Sequence, residues 1–146
     1  MPTPPLIFVL NGPNLNLLGT REPEVYGSDS LDDIGAAMTD HADTLGLALD
    51  IRQSNHEGHL IDWLHEADGA GAKAVIFNPG GYTHSSVALR DAVAAISAPV
   101  IEVHLSNPDA RESFRRRSLI AGVAKGSIKG FGTNSYLLAL DAAARL

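Results

Sequence analysis

The chain has 146 residues, 45% of them hydrophobic, a formal net charge of −6 and no cysteine. That length suits one domain of roughly 100–200 residues built on a single core, and the missing thiols exclude both a disulfide framework and a thiolate zinc site. The acidic balance excludes a phosphate-backbone surface, which needs clustered basic residues to release counterions, so an anion can be held only by a local group of arginines working against the overall field.

Met1-Pro2-Thr3-Pro4-Pro5 has no basic n-region. The apolar stretch behind it, 6–10, is too short for a signal or membrane helix, so a soluble cytoplasmic protein with no membrane or nucleic-acid partner is expected. Residues 6–10 are β-branched and apolar enough for a strand buried on both faces. A loop at 11–29, rich in Asn, Gly and Pro, follows; it exceeds the usual length of about 4–6 residues, and long loops in compact domains are commonly functional. Apolar residues at helical spacing then predict helices over 31–45, 57–70, 85–96 and 134–146. Between them, short apolar runs predict strands over 47–53, 74–78, 100–104 and 127–131. The βαβα alternation has no repeat, linker or low-complexity segment. It predicts one domain over 1–146, an α/β flavodoxin-like doubly wound five-stranded parallel sheet with helices on both faces.

In such a sheet ligands gather outside the carboxyl ends of the strands, where strand order reverses. Asn11-Gly12-Pro13-Asn14 follows the first strand, Asn78-Pro79-Gly80-Gly81-Tyr82-Thr83-His84 ends the third, and Glu102-Val103-His104-Leu105-Ser106-Asn107 ends the fourth. Asn14, Asn78, His84, His104 and Ser106 are thereby predicted to converge on a small polar pocket. The Gly and Pro dipeptides are equally turn chemistry, and the two readings are compatible. Glu102 and His104 share one face of their strand at period two. A carboxylate beside an imidazole orients it and favours its protonated form, as a general acid requires, although such a pair is also a common structural hydrogen bond.

In the long loop, Arg21 and Tyr26 lie between Gly19 and Gly27, which reads as a lid. A tyrosine with an ordinary pKa near 10 becomes a base at pH 7 only if about 4 kcal/mol favours its anion. A guanidinium in a partly desolvated site supplies much of that; a ring packed on the surface is the bland alternative. Arg111 and Arg115 are four apart and share a face if 108–119 is helical, offering a seat for a carboxylate or hydroxyls. Arg116 and Arg117 extend the run, and a solvated charged face is the competing reading.

Other signals carry less. His56, His59 and His65 miss the His-Glu-x-x-His zinc pattern because residue 60 is Leu. Gly130-Phe131-Gly132 looks like a broken dinucleotide fingerprint with no strand left to follow it. Lys73 falls at the amino end of its strand, away from the crevice, which argues against a Schiff base there.

Leu10-Asn11-Gly12-Pro13-Asn14-Leu15-Asn16-Leu17-Leu18-Gly19, Arg21-Glu22-Pro23 and Tyr26-Gly27 together resemble the opening of the type II 3-dehydroquinate dehydratases. Gln53-Ser54-Asn55-His56-Glu57-Gly58, the Asn78–His84 segment with Ala88-Leu89-Arg90-Asp91, and Glu102 to Asn107 with Arg111 to Arg117 continue the likeness in order. The resemblance implies trans dehydration of 3-dehydroquinate to 3-dehydroshikimate without metal or nicotinamide, in a dodecamer built of trimers. It implies Tyr26 as base, Arg21 keeping it ionised, Asn14 stabilising the enolate directly or through a water, and His104, oriented by Glu102, as acid. Asn78, His84, Leu105, Ser106 and Arg115 would bind substrate, and Asp91 would reach a neighbouring subunit's site. The same chemistry serves aromatic biosynthesis and quinate breakdown. A flavodoxin-like module holding flavin mononucleotide is the alternative, but its phosphate loop needs Ser and Thr donors where this chain has Asn-Gly-Pro-Asn. A phospho-acceptor domain needs Asp where residue 78 is Asn. Where that family often has Gly-x-x-Gly-Tyr, this chain has Gly132-Thr133-Asn134-Ser135-Tyr136, which bears on the last turn only.

Overall fold

A computed structural model describes residues 3–146; Met1 and Pro2, the first residues of the expected signal-free N-terminus, lie outside it. Five strands, β1 (Leu6–Asn11), β2 (Ala48–Gln53), β3 (Ala74–Asn78), β4 (Val100–His104) and β5 (Gly126–Lys129), form one sheet in the order β2-β1-β3-β4-β5. Every pair is parallel, with Asn11 opposite both Gln53 and Asn78. This is the flavodoxin-like order expected from the alternation. Strand order reverses at β1 and β3, whose carboxyl ends stand side by side.

Alternation along the central strands divides the interior in two. Ile7, Val9 and Ile76 face one layer, made by α2 (Leu31–Leu45) and α5 (Thr133–Ala144). Phe8, Leu10 and Phe77 face the other, made by α3 (Glu57–Gly69) and α4 (Val87–Ala95). Each helix presents apolar residues at spacings of three and four: Ile34, Met38 and Ala42 on α2, Leu60, Leu64 and Ala67 on α3. Fully burying such a side chain is worth roughly 1.5–3 kcal/mol for the larger ones. Helix α2 starts at a capping box in which Ser30 and Asp33 satisfy one another's amides, and it stops at Gly46 in the left-handed region.

Three expectations need correction. The segment 108–119 is not a helix. Asn107 Oδ1 accepts from the Asp109 amide, Pro108 sets a single 3₁₀ turn over Pro108–Ala110, and Arg111 is extended before a second turn at Ser113–Arg115. Strand β5 ends at Lys129 rather than 131, because Gly130 has φ 96° and leaves the ladder. Helix α4 begins only at Val87, where the Ser86 hydroxyl accepts from the Leu89 amide and caps it.

Candidate active site

A cavity of about 190 Å3 opens at the carboxyl ends of β1, β3 and β4. From the strand ends and turns it is lined by Asn14, Asn78, His84, His104, Leu105 and Ser106. The lid contributes Arg21 and Tyr26, and the turns after β4 contribute Arg111 and Arg115. Three guanidiniums thus converge on one cleft in a protein of net charge −6, which is how an anion is captured against the global field. Neither Arg116 nor Arg117 lines it.

The β4 side is rigid. His104 Nε2–H donates to Glu102 Oε2 at 2.6 Å, with the carboxylate side chain almost wholly buried. Thr83 Oγ1 donates to the same oxygen at 3.2 Å, and Ser118 Oγ sits 2.8 and 3.0 Å from the two carboxylate oxygens. The Ser118 oxygen in turn accepts from the Ile120 and Ala121 amides. Burial alone pushes the Glu102 carboxyl up. The hydrogen bond and charge of His104, with the Ser118 and Thr83 hydroxyls, outweigh it and hold the group below its ordinary value of 4.5. Because Nε2 is committed to Glu102, Nδ1 is the ring nitrogen left for a ligand. His84 is fixed the opposite way: its Nδ1–H donates to the Arg117 carbonyl at 2.8 Å, leaving Nε2.

The lid is lightly anchored. Tyr26 ends a one-turn helix, α1 (Pro23–Tyr26), that buries no residue and is bracketed by Glu22 at φ 39° and Gly27 at φ 85°. The Tyr26 ring is half-buried and lies between two cations, with Arg21 Cζ 4.6 Å and Arg111 Cζ 5.0 Å from its centroid. Arg111 also donates to Ser106 Oγ at 3.3 Å. The extended backbone that breaks the expected helix is what carries Arg111 to the lid.

At the crevice floor, Gly12 passes so close to the next turn that a Cβ there would lie 2.5 Å from the Pro79 carbonyl oxygen. Asn78 Oδ1 accepts from the Gly80 amide, and its Nδ2 donates to Tyr136 Oη at 2.9 Å. Tyr136 donates onward to Asn11 Oδ1 at 2.7 Å, tying α5 to the ends of β1 and β3.

Sequence reasoning selected the polar and charged lining residues, named Glu102 with them although it lies behind His104 rather than on the cleft wall, gave no role to Thr83, Ser118 or Tyr136, and paired Tyr26 with Arg21 alone. Thr83 sat inside a quoted motif, and a hydroxyl facing the Glu102 strand was its only available signal. Asp91 is exposed on α4 and does not line the cleft of its own chain. Lys73 is at the amino end of β3, as expected, bonded to the Leu146 carbonyl. His56 and His59 meet edge to face at 4.8 Å, but among the described residues no group of three or more His, Asp or Glu is placed to hold a metal ion. Nor, among them, is any helix long and apolar enough to cross a membrane.

Fold and cleft together define an α/β enzyme of flavodoxin-like topology, equipped for acid and base chemistry on a small anion. Comparison with known proteins agrees. Residues 5–144 match the family model described as dehydroquinase class II. The chain is 62% identical over 137 residues to a 3-dehydroquinate dehydratase of Maricaulis maris, covering 94% of this chain and 93% of the relative. It superposes on the crystal structure of a type II dehydroquinase from Butyrivibrio crossotus with a TM-score of 0.95 and 40% identity, over 97% of this chain and 99% of the other. The corresponding enzyme from Propionibacterium acnes gives a TM-score of 0.94 at 40% identity, over 100% of this chain and 99% of the other. The chain belongs to the class II dehydroquinase family.

Proposed function

We propose that this protein dehydrates 3-dehydroquinate to 3-dehydroshikimate by trans elimination through an enolate, as a shikimate-pathway hydro-lyase of one catalytic domain acting in the cytoplasm. The observation that carries the reading is the Tyr26 ring set between Arg21 and Arg111 at one wall of a small cleft whose other wall carries His104, backed by the buried Glu102. A phenolate at Tyr26 removes a proton from the carbon beside the ketone, and the electron pair moves onto the carbonyl oxygen. Asn14 stabilises that developing charge, directly or through a water. The enolate then collapses, the bond to the departing hydroxyl breaks, and His104 gives that oxygen the proton on Nδ1, so that water leaves. Glu102 keeps the ring in place throughout. Arg115, Asn78, His84 and the Leu105–Ser106 segment bind the substrate's carboxylate and hydroxyls. Regeneration returns one proton from the tyrosine to the imidazole through solvent.

Asp91 serves the cleft of a neighbouring subunit in a dodecamer built of trimers. Its exposure on α4, beside the exposed apolar Val87, and the exposed Phe114 next to Arg115 support an interface on this side of the molecule. Mixing the protein with 3-dehydroquinate is expected to generate the ultraviolet absorbance of a conjugated enone. Tyr26→Phe is expected to keep fold and ligand binding while losing nearly all turnover. Substantial turnover by that variant would end this assignment, and a monomeric mass by light scattering would end the assembly.

A further inference from the structure

Asn14 occupies an unusual backbone state. It has φ 68° and ψ −2°, one of two residues other than glycine with positive φ among those described. Such conformations are uncommon for L-residues and persist where the surroundings over-determine them. Two bonds fix this one. The Asn14 carbonyl accepts from the Leu17 amide, and its N–H donates to Asn55 Oδ1 at 3.0 Å. Asn55 is itself braced from two sides. Its Oδ1 also accepts from Gln53 Nε2 at 3.1 Å, while that same nitrogen donates to the Gly12 carbonyl at 3.1 Å. Its carbonyl accepts from Tyr82 Oη at 3.0 Å. The Asn55 side chain therefore joins the end of β2 to the turn after β1 without lining the cleft.

We propose that Asn55 is a positioning residue for the dehydration, holding the Asn14 backbone left-handed so that its carboxamide is presented to the reacting oxygen; this rests on the role given to Asn14 above. Rotation of Asn14 out of that state swings the Cα–Cβ bond, and the carboxamide leaves the cleft with it. Displacements of about 1 Å at a group that stabilises developing charge can cost up to about a hundredfold in rate. Gln53 acts one step further back, by holding Asn55. The effect belongs to the chemical step, because Asn55 itself has no contact with the cleft.

The test is a double-mutant cycle on kcat and KM with 3-dehydroquinate, using wild type, Asn55→Ala, Asn14→Gly and the combined variant. Glycine adopts the left-handed state freely, so Asn14→Gly deletes the carboxamide without straining the turn. Asn55→Ala is expected to lower kcat about tenfold with KM within about twofold of wild type, the scale of one hydrogen bond that fixes a conformer. In the Asn14→Gly background the same substitution is expected to change kcat no further. An equal loss in both backgrounds would show a general structural effect and overturn the proposal, as would an unchanged kcat for Asn55→Ala. Should Asn55→Ala fail to fold, Gln53→Leu takes its place in the cycle with the same expected non-additivity. Wild-type protein inactive on 3-dehydroquinate would instead remove the activity reading itself, and an Asn14→Gly variant of wild-type kcat would remove the role of Asn14.

Discussion

Tyr136→Phe removes one oxygen from the interior and strands two polar groups. Tyr136 Oη donates to Asn11 Oδ1 at 2.7 Å and accepts from Asn78 Nδ2 at 2.9 Å, and all three side chains are buried. Burial raises the phenol's pKa well above its ordinary value, against the opposing effect of Asn78, so the hydroxyl remains a donor. In the variant the ring still fills its place, but Asn11 Oδ1 and one Asn78 N–H lose their partners. At about 1–2 kcal/mol for each stranded group, the loss is about 3 kcal/mol. Unfolding entropy of about 2.1 cal/mol/K per residue gives about 0.3 kcal/mol/K for 146 residues, so Tm should fall by about 10 °C. Scanning calorimetry at neutral pH measures it. A fall of less than about 3 °C would refute the claim that this chain of hydrogen bonds braces the strands beneath the cleft.

Arg21→Met and Arg111→Met each remove a cation about 5 Å from the Tyr26 ring. With an effective dielectric of about 20–40 that charge is worth about 2–3 kcal/mol, so kcat should fall by roughly thirty- to a hundred-and-fiftyfold for each, and steady-state kinetics showing wild-type turnover for either would contradict it. Glu102 has a folded-state pKa below its ordinary 4.5, so its ionisation contributes stability that is complete above that value and is lost as pH falls through the lower one. Glu102→Gln should therefore flatten the acid limb of the urea midpoint measured from about pH 7 to pH 3, and an unaltered limb would count against the hydrogen-bonded cage. Gly12→Ala would press a methyl to within 2.5 Å of the Pro79 carbonyl oxygen. The clashing atoms are backbone rather than the end of a flexible side chain, so a loss of about 1–3 kcal/mol is expected in chemical denaturation, and wild-type stability would disprove the close approach.

The fold was legible because each strand and helix carries its own period. Ile7, Val9 and their alternates Phe8 and Leu10 already encode two buried faces, and only a sheet covered on both sides uses both. Strand-end polar residues then located the cleft, since a parallel sheet collects ligands at one edge. What local reasoning could not see were partners distant in sequence. Ser118 meets Glu102 across 16 positions and Tyr136 meets Asn11 across 125, and nothing in either residue's neighbourhood marks that pairing. The four-residue spacing of Arg111 and Arg115 pointed to the right side chains through the wrong geometry. An extended residue at 111, rather than a continuous helix, brings one of the two guanidiniums against the Tyr26 ring while both line the cleft.

The two side chains given the proton-transfer roles in the mechanism proposed above are mounted differently. His104 belongs to a central strand and is locked through Glu102 by hydroxyls from two other segments, whereas Tyr26 rides on a single helical turn with positive-φ backbone at its entry and exit. On that mechanism the base depends on how that one turn is held, while the acid is set by the sheet itself. Compounds that displace that short turn should therefore inhibit without resembling the reactant.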